Sequence, residues 1–231
     1  MVFFLKSLSV IVPAYNEEEN VRATVFEAHA VLSPAVAGEM EWVIVDDGSV
    51  DGTWDEIMGL SEEMLDVRPL RHVENKGLAA AIWTGVAHAT NEWILWMPAD
   101  GQISAHAVLG MIKAAEQSDL VLLMRQEEQR DFFRRSLTFF MNAFIRWALG
   151  VELEGYSGVF LIRNEILKKI PFVSTTALQN YLVASYCGER NLRISYAPVV
   201  VQPRRSGSSK VLNVPTMLRT FWDIMKIKLS R

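Results

Sequence analysis

The stretch EWVIVDDGSVDGT, residues 41–53, decides the fold. Trp42 to Val45 is an apolar run with no polar residue interposed, the pattern of a strand covered on both faces. The run ends in Asp46 and Asp47, turns through Gly48 and Ser49, and reaches Asp51-Gly52-Thr53, where side-chain oxygens can cap a helix. Strand, acidic turn and helix form one unit, and the question is whether it repeats.

It does. Strand-like runs are predicted at 8–12 (LSVIV), 41–46 (EWVIVD), 67–73 (VRPLRHV), 92–97 (EWILWM) and 119–124 (DLVLLM). Helix-like stretches at Glu17–Leu32, Thr53–Leu65, Gly77–Ala89 and Ser104–Gln117 separate them. This alternation predicts an α/β fold, a mostly parallel Rossmann-like sheet flanked by helices. After Arg125 the charged stretch QEEQRDFFRR opens a longer helix that reaches about Gly150. Ligands of such sheets bind outside the carboxyl ends of the strands. Three of the runs end there in polar clusters: Pro13-Ala14-Tyr15-Asn16-Glu17, Asp46-Asp47-Gly48-Ser49 and Pro98-Ala99-Asp100-Gly101-Gln102. One rim should therefore collect acids and amides from three strands.

A length of 231 residues suits one domain with a substantial core. Half the residues are hydrophobic and the mean hydropathy is +0.14, yet no apolar run approaches the roughly 18 residues of a membrane span. The N-terminal MVFFLKSLSV is too short a stretch for a signal peptide and leads straight into the first strand. A single cysteine, Cys187, excludes an intramolecular disulfide and suits a reducing compartment. The net charge of −4 divides into +6 from Pro203 onward and −10 before it. A basic tail on an acidic body predicts a phosphate-bearing partner. His29, His72, His88 and His106 show no ligand spacing, so zinc is not expected.

The acidic turn does not fit a calcium loop: its third position is Ser49 and its twelfth, counted from Asp47, is Met58. Two compatible readings remain. Asp51 to Thr53 cap the next helix, and a strand-end acid accepts hydrogen bonds from a nucleobase or ribose. Asn75-Lys76-Gly77 opens a helix, either as a cradle for a diphosphate or as a plain glycine turn. Neither a P-loop nor a GxGxxG signature is present. Asp100 and Gln102, two apart, can face the same way, and their oxygens with those of a diphosphate suit Mg²⁺ or Mn²⁺ better than a solvated turn.

Taken together, VIVPAYNEEENV, VIVDDGSVDGT, NKGLAAA and ADGQ resemble the family 2 glycosyltransferases, particularly the dolichol-phosphate mannose synthase-like, polyprenyl-phosphate branch. GYSGVFLIRNEIL (155–167) resembles that branch's S-G-F segment, and RRSGSSKV (204–211) its basic G-x-S-K segment. The resemblance implies a GT-A domain over 1–212, with a nucleotide-sugar-binding half (1–123), an acceptor-binding half (124–212), and a membrane-surface helix at 213–231. It implies inverting transfer of a sugar from a GDP- or UDP-linked donor to a dolichyl or undecaprenyl phosphate. By position it places Pro13, Tyr15, Glu17, Asp46 and Asp47 at the nucleotide. Lys76, Gly77 and Asp100 join them at the diphosphate, and Asp100 with Gln102 holds the metal. Arg125, Arg134, Arg135 and Ser157 fall to the acceptor phosphate, and Arg204, Ser209 and Lys210 match the later functional segments. Asp100, Arg204 and Lys210 would neutralise the leaving group. The family's metal motif commonly reads D-A-D-x-Q; here Pro98 stands in place of its first acid.

An alcohol acceptor needs a general base nearby. In relatives that use hydroxyls, an acid lies on the helix after the S-G-F segment. Here TTALQNYLVASY offers Gln179 and Asn180 and no acid before Glu189. A phosphate, with its second pKa near 6, needs positioning arginines instead. The sequence therefore favours a lipid phosphate; Glu152 and Glu154 are the acids that would argue otherwise. Two alternatives stay open: a hydroxyl acceptor on a glycolipid or polysaccharide, and a weakly active homologue serving as a binding subunit, suggested by Pro98. The stretch 134–150 is apolar nearly all round with cations at its ends, and either packs inside the domain or lies in a membrane interface. In the tail Met217, Phe221, Ile224, Met225 and Ile227 share a broad helical face, with Arg219, Lys226 and Lys228 elsewhere. The chain is expected to sit on the cytoplasmic face of the plasma membrane or endoplasmic reticulum, alone or with a transmembrane partner subunit, and not on nucleic acid.

Overall fold

The structure, a computed structural model, describes residues 5–126, 146–147, 150, 155–202 and 222–225. In chain order its elements are β1 (Leu8–Ala14), α1 (Val21–Leu32), β2 (Met40–Asp46), α2 (Thr53–Glu63), β3 (Val67–Arg71), α3 (Leu78–His88), β4 (Trp93–Trp96), α4 (Ala105–Ala115) and β5 (Leu120–Arg125). The second half adds β6 (Tyr156–Arg163), the short α5 (Asn164–Leu167), α6 (Leu178–Glu189) and β7 (Ile194–Val199). The strands form one sheet in the order β3-β2-β1-β4-β6-β5-β7. Only β6 runs against its neighbours β4 and β5; the other pairings are parallel.

All five predicted strands and the four helices predicted between them are present, with shifted ends; of the longer helix predicted to about Gly150 only 146–147, which are helical, and Gly150 are described, and the rest lies outside the described residues. α1 begins at Val21 rather than Glu17, because the Glu17 carboxylate accepts the Asn20 amide at 2.7 Å and turns the chain before the helix starts. β1 continues through Pro13 to Ala14. A proline in a central strand needs its missing N–H to face no partner. Here Ile11 is the last β1 residue paired with β4, and its carbonyl takes the Met97 N–H at 3.0 Å. Alternation turns Pro13 to that same side, one step beyond the end of the β4 ladder. Strands β6 and β7 were not anticipated; SGVFLIR, read as a motif, forms most of a buried strand.

Val10, Ile11, Val12, Trp42, Val43, Ile44, Val45, Ile94, Leu95, Leu120–Leu123 and Phe160–Ile162 are buried at the centre of the sheet. α1 packs against α2 and α4, α3 against β1 and β2, and α6 against β5 and β6. α3 sits so close that a Cβ on Gly85 would lie 2.5 Å from Ile11 Cγ2. At the edge away from the acidic rim, Asp119 binds Arg193 through both oxygens (3.1 and 2.9 Å). These pairs hold down β7 and the start of β5. Among the described residues no helix is long and apolar enough to cross a membrane.

The tail is described only at 222–225, which is helical. There Ile224 is fully buried and Asp223 Oδ2 accepts the Ser174 hydroxyl at 2.7 Å. At this turn the apolar side of the tail faces the domain; the rest of 213–231, apart from these four residues, lies outside the described residues.

Candidate active site

The sheet register brings the three polar clusters to one rim. Ala14 pairs with Asp46 at the ends of β1 and β2, and Trp96 of β4 lies beside Ile11 on the other flank of β1. The chain after β4 is anchored by the Thr24 hydroxyl, which donates to the Ala99 carbonyl at 2.9 Å. Asp100 is thereby held at the mouth of β4, four residues past the last pair, and is buried.

The loops after β1 and β2 are stitched together. Asn16, at φ +52°, donates its N–H to Ser49 Oγ (2.9 Å) and accepts the Val50 N–H (3.0 Å). Glu17 N–H donates to Thr53 Oγ1 (2.7 Å), and the Glu18 carboxylate accepts the Gly52 N–H (2.7 Å). Gly48 is required at φ +73°, since a Cβ there would lie 2.5 Å from the Glu74 carbonyl carbon. The turn after β2 thus abuts the turn after β3, and Tyr15 and Glu17 lie on a fixed platform.

The paired acids take different parts. Asp46 Oδ1 accepts the Ser49 N–H at 2.9 Å, while Oδ2 lies 3.0 Å from Arg71 Nε. That ion pair is out of line, so the buried Oδ2 accepts no hydrogen bond. Arg71 also lies over the Trp54 ring, 5.3 Å from its centroid. The Arg71 guanidinium thus balances the charge of this buried strand-end oxygen without hydrogen-bonding it. Asp47 is fully engaged: Oδ1 meets His72 Nδ1 (2.7 Å) and the Lys76 N–H (2.9 Å), and Oδ2 the Gly77 N–H (2.9 Å). Asp47 therefore shapes the 75–77 turn. Gly77 there adopts φ +96°, and a Cβ would be 3.0 Å from the Thr175 carbonyl. With the Lys76 and Gly77 N–H groups taken, the N–H groups of α3 that lack an intrahelical acceptor begin at Leu78. Lys76 is exposed.

Asp100 Oδ1 accepts the Gln102 N–H at 3.0 Å, a local turn that fixes the Asp100 carboxylate against the following backbone. Gln102 Nε2 donates to the Gln202 carbonyl (3.3 Å), and Gln202 N–H returns a bond to the Gln102 carbonyl (2.9 Å). Using the amide nitrogen in this way leaves Oε1 as the donor atom for a cation. Two oxygen ligands from the chain fit Mg²⁺ or Mn²⁺, which keep waters and substrate phosphates in their shells. The described residues contain no cluster of three or more acids, histidines or cysteines.

On the acceptor side, β6 bulges against β5. Tyr156 pairs with Met124 and Phe160 with Leu122, so three residues of β6 oppose Leu123 alone. Gly158 lies at φ +91°, and its carbonyl accepts both Trp96 Nε1 (2.8 Å) and the Tyr156 hydroxyl (3.0 Å). Ser157 donates to the Leu123 carbonyl (2.7 Å) and accepts the Val159 N–H (3.2 Å), which accounts for a serine within the bulge. Arg125 closes β5, its N–H on the Gly155 carbonyl at 2.7 Å. Burial raises the Tyr181 hydroxyl pKa, and the nearby Arg125 charge opposes that rise. Burial, with the Tyr181 and Cys187 charges, pushes Tyr156 well above its usual range. Both remain protonated donors at neutral pH.

Gln179 is consumed by the segment before α6: Oε1 takes the Val173 and Ser174 N–H groups (3.0 and 3.1 Å) and Nε2 donates to the Pro171 carbonyl (2.8 Å). Asn180 is buried with Oδ1 unpaired. Neither can take a proton. Sequence reasoning missed Asp223, which lies 49 positions beyond Ser174 and meets it only through the fold, and it missed His72 beneath Asp47. Arg134, Arg135, Glu152, Glu154, Arg204, Ser209 and Lys210 lie outside the described residues.

The sequence model of Glycosyl transferase family 2 matches residues 9–177. A dolichol-phosphate mannosyltransferase of Saccharomyces cerevisiae is 35% identical over 94 residues, 41% of this chain and 35% of that protein. An undecaprenyl-phosphate 4-deoxy-4-formamido-L-arabinose transferase of Photorhabdus laumondii is 29% identical over 159 residues, 66% of this chain and 47% of that one. The chain thus spans between about a third and a half of the curated relatives it matches. In fold it is similar to the glucosyl-3-phosphoglycerate synthase of Mycobacterium tuberculosis, solved with Mn²⁺, uridine diphosphate and glucosyl-3-phosphoglycerate. The TM-score is 0.70 at 19% identity, over 97% of this chain and 79% of that one. The mixed sheet and its flanking helices carry the expected GT-A architecture, and the chain belongs to glycosyl transferase family 2.

Proposed function

We propose that this member of family 2 transfers a sugar, with inversion, from a GDP- or UDP-linked donor to a polyprenyl phosphate. The observation that carries the acceptor is the start of α6. Where attack by a hydroxyl would call for a carboxylate, Gln179 is locked to backbone groups and Asn180 is an amide. A phosphate needs no base, only cations to hold it. Arg125, with Arg134 and Arg135, supplies them, and the sequence relatives named above act on lipid phosphates.

On the donor side, Asp46 serves the nucleoside, while Tyr15 and Glu17 wall the nucleotide and Lys76 with the N-terminal N–H groups of α3 faces the diphosphate. Asp100 and Gln102 hold Mg²⁺ or Mn²⁺, which supplies charge neutralisation for the departing nucleoside diphosphate. Arg204 and Lys210 add to that neutralisation, and Ser157 and Ser209 line the acceptor side. The place of work is a membrane surface: Phe172, Val173 and Trp222 are large apolar side chains 44%, 51% and 61% exposed, close to the Ser174–Asp223 contact. The transmembrane partner subunit is part of the same reading.

One observation favours a second reading. Asp223 is a carboxylate next to Ser174, and the following residue, Thr175, reaches Gly77. As a general base there it would serve a hydroxyl acceptor. Assays of labelled GDP- and UDP-sugars with Mn²⁺, using polyprenyl phosphate and the matching polyprenol side by side, separate the two. Product from the phosphate alone supports the proposal; product from the alcohol supports the second reading. Binding of the donor without transfer to either would make the chain a binding subunit.

A further inference from the structure

His72 has no place in the motifs, yet it is buried and both ring nitrogens are engaged. Nδ1 lies 2.7 Å from Asp47 Oδ1, Nε2 lies 2.9 Å from Thr84 Oγ1, and its backbone N–H donates to the Asp46 carbonyl at 2.8 Å. The ring thus bridges the end of β2 to the second turn of α3. We propose that His72 and Thr84 are positioning residues for the diphosphate-binding part of the nucleotide-sugar site, acting through Asp47. This rests on the donor reading given above.

A carboxylate beside a site for a diphosphate repels its ligand unless its oxygens are turned to donors inside the protein. Asp47 has three such donors. The Lys76 and Gly77 N–H groups are supplied by the turn that Asp47 is to shape, so they cannot by themselves choose its rotamer. His72 is the donor that belongs to a different, fixed position, at the end of β3 and backed by Thr84. With the ring in place Oδ1 is shared between Nδ1 and the Lys76 N–H, Gly77 is held at its positive φ, and α3 presents its N-terminus with Lys76 beside it. Without the ring, Asp47 can swing and the turn loses its template. A different part of the rim, Asp46, serves the nucleoside in that reading, and its contacts, Oδ1 with the Ser49 N–H and Oδ2 with Arg71, do not involve the imidazole. Loss of His72 should therefore weaken recognition of phosphate selectively.

The test is calorimetric titration, with Mn²⁺ present, of GDP, UDP, guanosine and uridine into the whole chain and into His72→Leu, His72→Asn and Thr84→Val. Leucine fills the space without a donor and should raise Kd for the bound nucleoside diphosphate about tenfold, leaving its nucleoside unchanged. Asparagine places an N–H near the position of Nδ1 and should restore most of the loss. Thr84→Val should cost about threefold, again for the diphosphate only. Unchanged diphosphate affinity in both His72→Leu and Thr84→Val overturns the proposal, as does equal weakening of nucleoside and diphosphate. Should His72→Leu not fold, Thr84→Val alone carries the same decision. Failure of the unmodified chain to bind either nucleoside diphosphate would instead remove the donor reading on which the proposal stands.

Discussion

Gln102 donates its backbone N–H to Asp100 Oδ1 at 3.0 Å, while its side-chain amide reaches the Gln202 carbonyl at 3.3 Å. That relationship survives replacement of the acid by its amide, but the charge does not. Asp100→Asn should therefore fold and lose at least about 100-fold in kcat/KM, the scale of removing one electrostatic contact to a leaving group. Steady-state assays beside thermal melts check this. Full activity in Asp100→Asn would remove the acid from the metal site.

The S-G segment makes a different prediction. The Ser157 hydroxyl bonds Leu123 and Val159 inside the bulge. Ser157→Ala should cost about 1–3 kcal/mol of stability, the cost of leaving buried polar groups unsatisfied. The KM for the nucleotide-sugar should not move. Chemical denaturation and donor kinetics measure the two separately.

Asp223 discriminates between acceptors. If a lipid phosphate is the nucleophile, Asp223→Asn keeps a hydrogen-bonding partner for Ser174 and should change transfer by no more than about threefold. A fall of about 100-fold or more, the scale of a lost general base, would point to a hydroxyl.

Acid stability should be governed by the far edge of the sheet. The Arg193 guanidinium holds Asp119 below the usual carboxylate range, against some opposing burial. Burial pushes Glu41 upward, but the Ser9 hydroxyl, the Thr90 N–H and hydroxyl, and Arg68 together bring it below its ordinary value. Both carboxyls titrate lower folded than unfolded, so their stabilisation is complete above the unfolded values near 4 and is lost as pH falls through the lower folded ones. Asp119→Asn and Glu41→Gln should each flatten the loss of Tm between about pH 5 and pH 3. A slope unchanged in both variants would place acid sensitivity elsewhere.

The parallel half of the fold was legible in sequence because its elements are local. Trp42–Val45 and Trp93–Met97 are continuous apolar runs, and the polar residues that follow them must lie at the strand ends. Register then brings Asp46 and Asp100 to flanking positions around β1 without long-range information. What remained hidden depends on contacts between distant segments. The bulge around Gly158 shows itself only when β6 meets β5, and β6 runs antiparallel to both of its neighbours. His72 looks like any histidine at a strand end until Asp47 and Thr84 close on it. Ile224 fits an outward apolar face by periodicity, yet it is buried, because a helical period says which residues share a side and not what that side meets.

The central claim is that the rim of β2, β1 and β4 binds a nucleoside diphosphate through a cation held at Asp100. Its most direct test is the Kd of GDP and of UDP for the unmodified chain and for Asp100→Ala, each with Mn²⁺ and with chelator. The account predicts that Mn²⁺ tightens the unmodified chain's binding of one of them at least about tenfold, and that Asp100→Ala loses this gain without losing its fold. Binding that ignores Mn²⁺, or a gain that persists in Asp100→Ala, would contradict it.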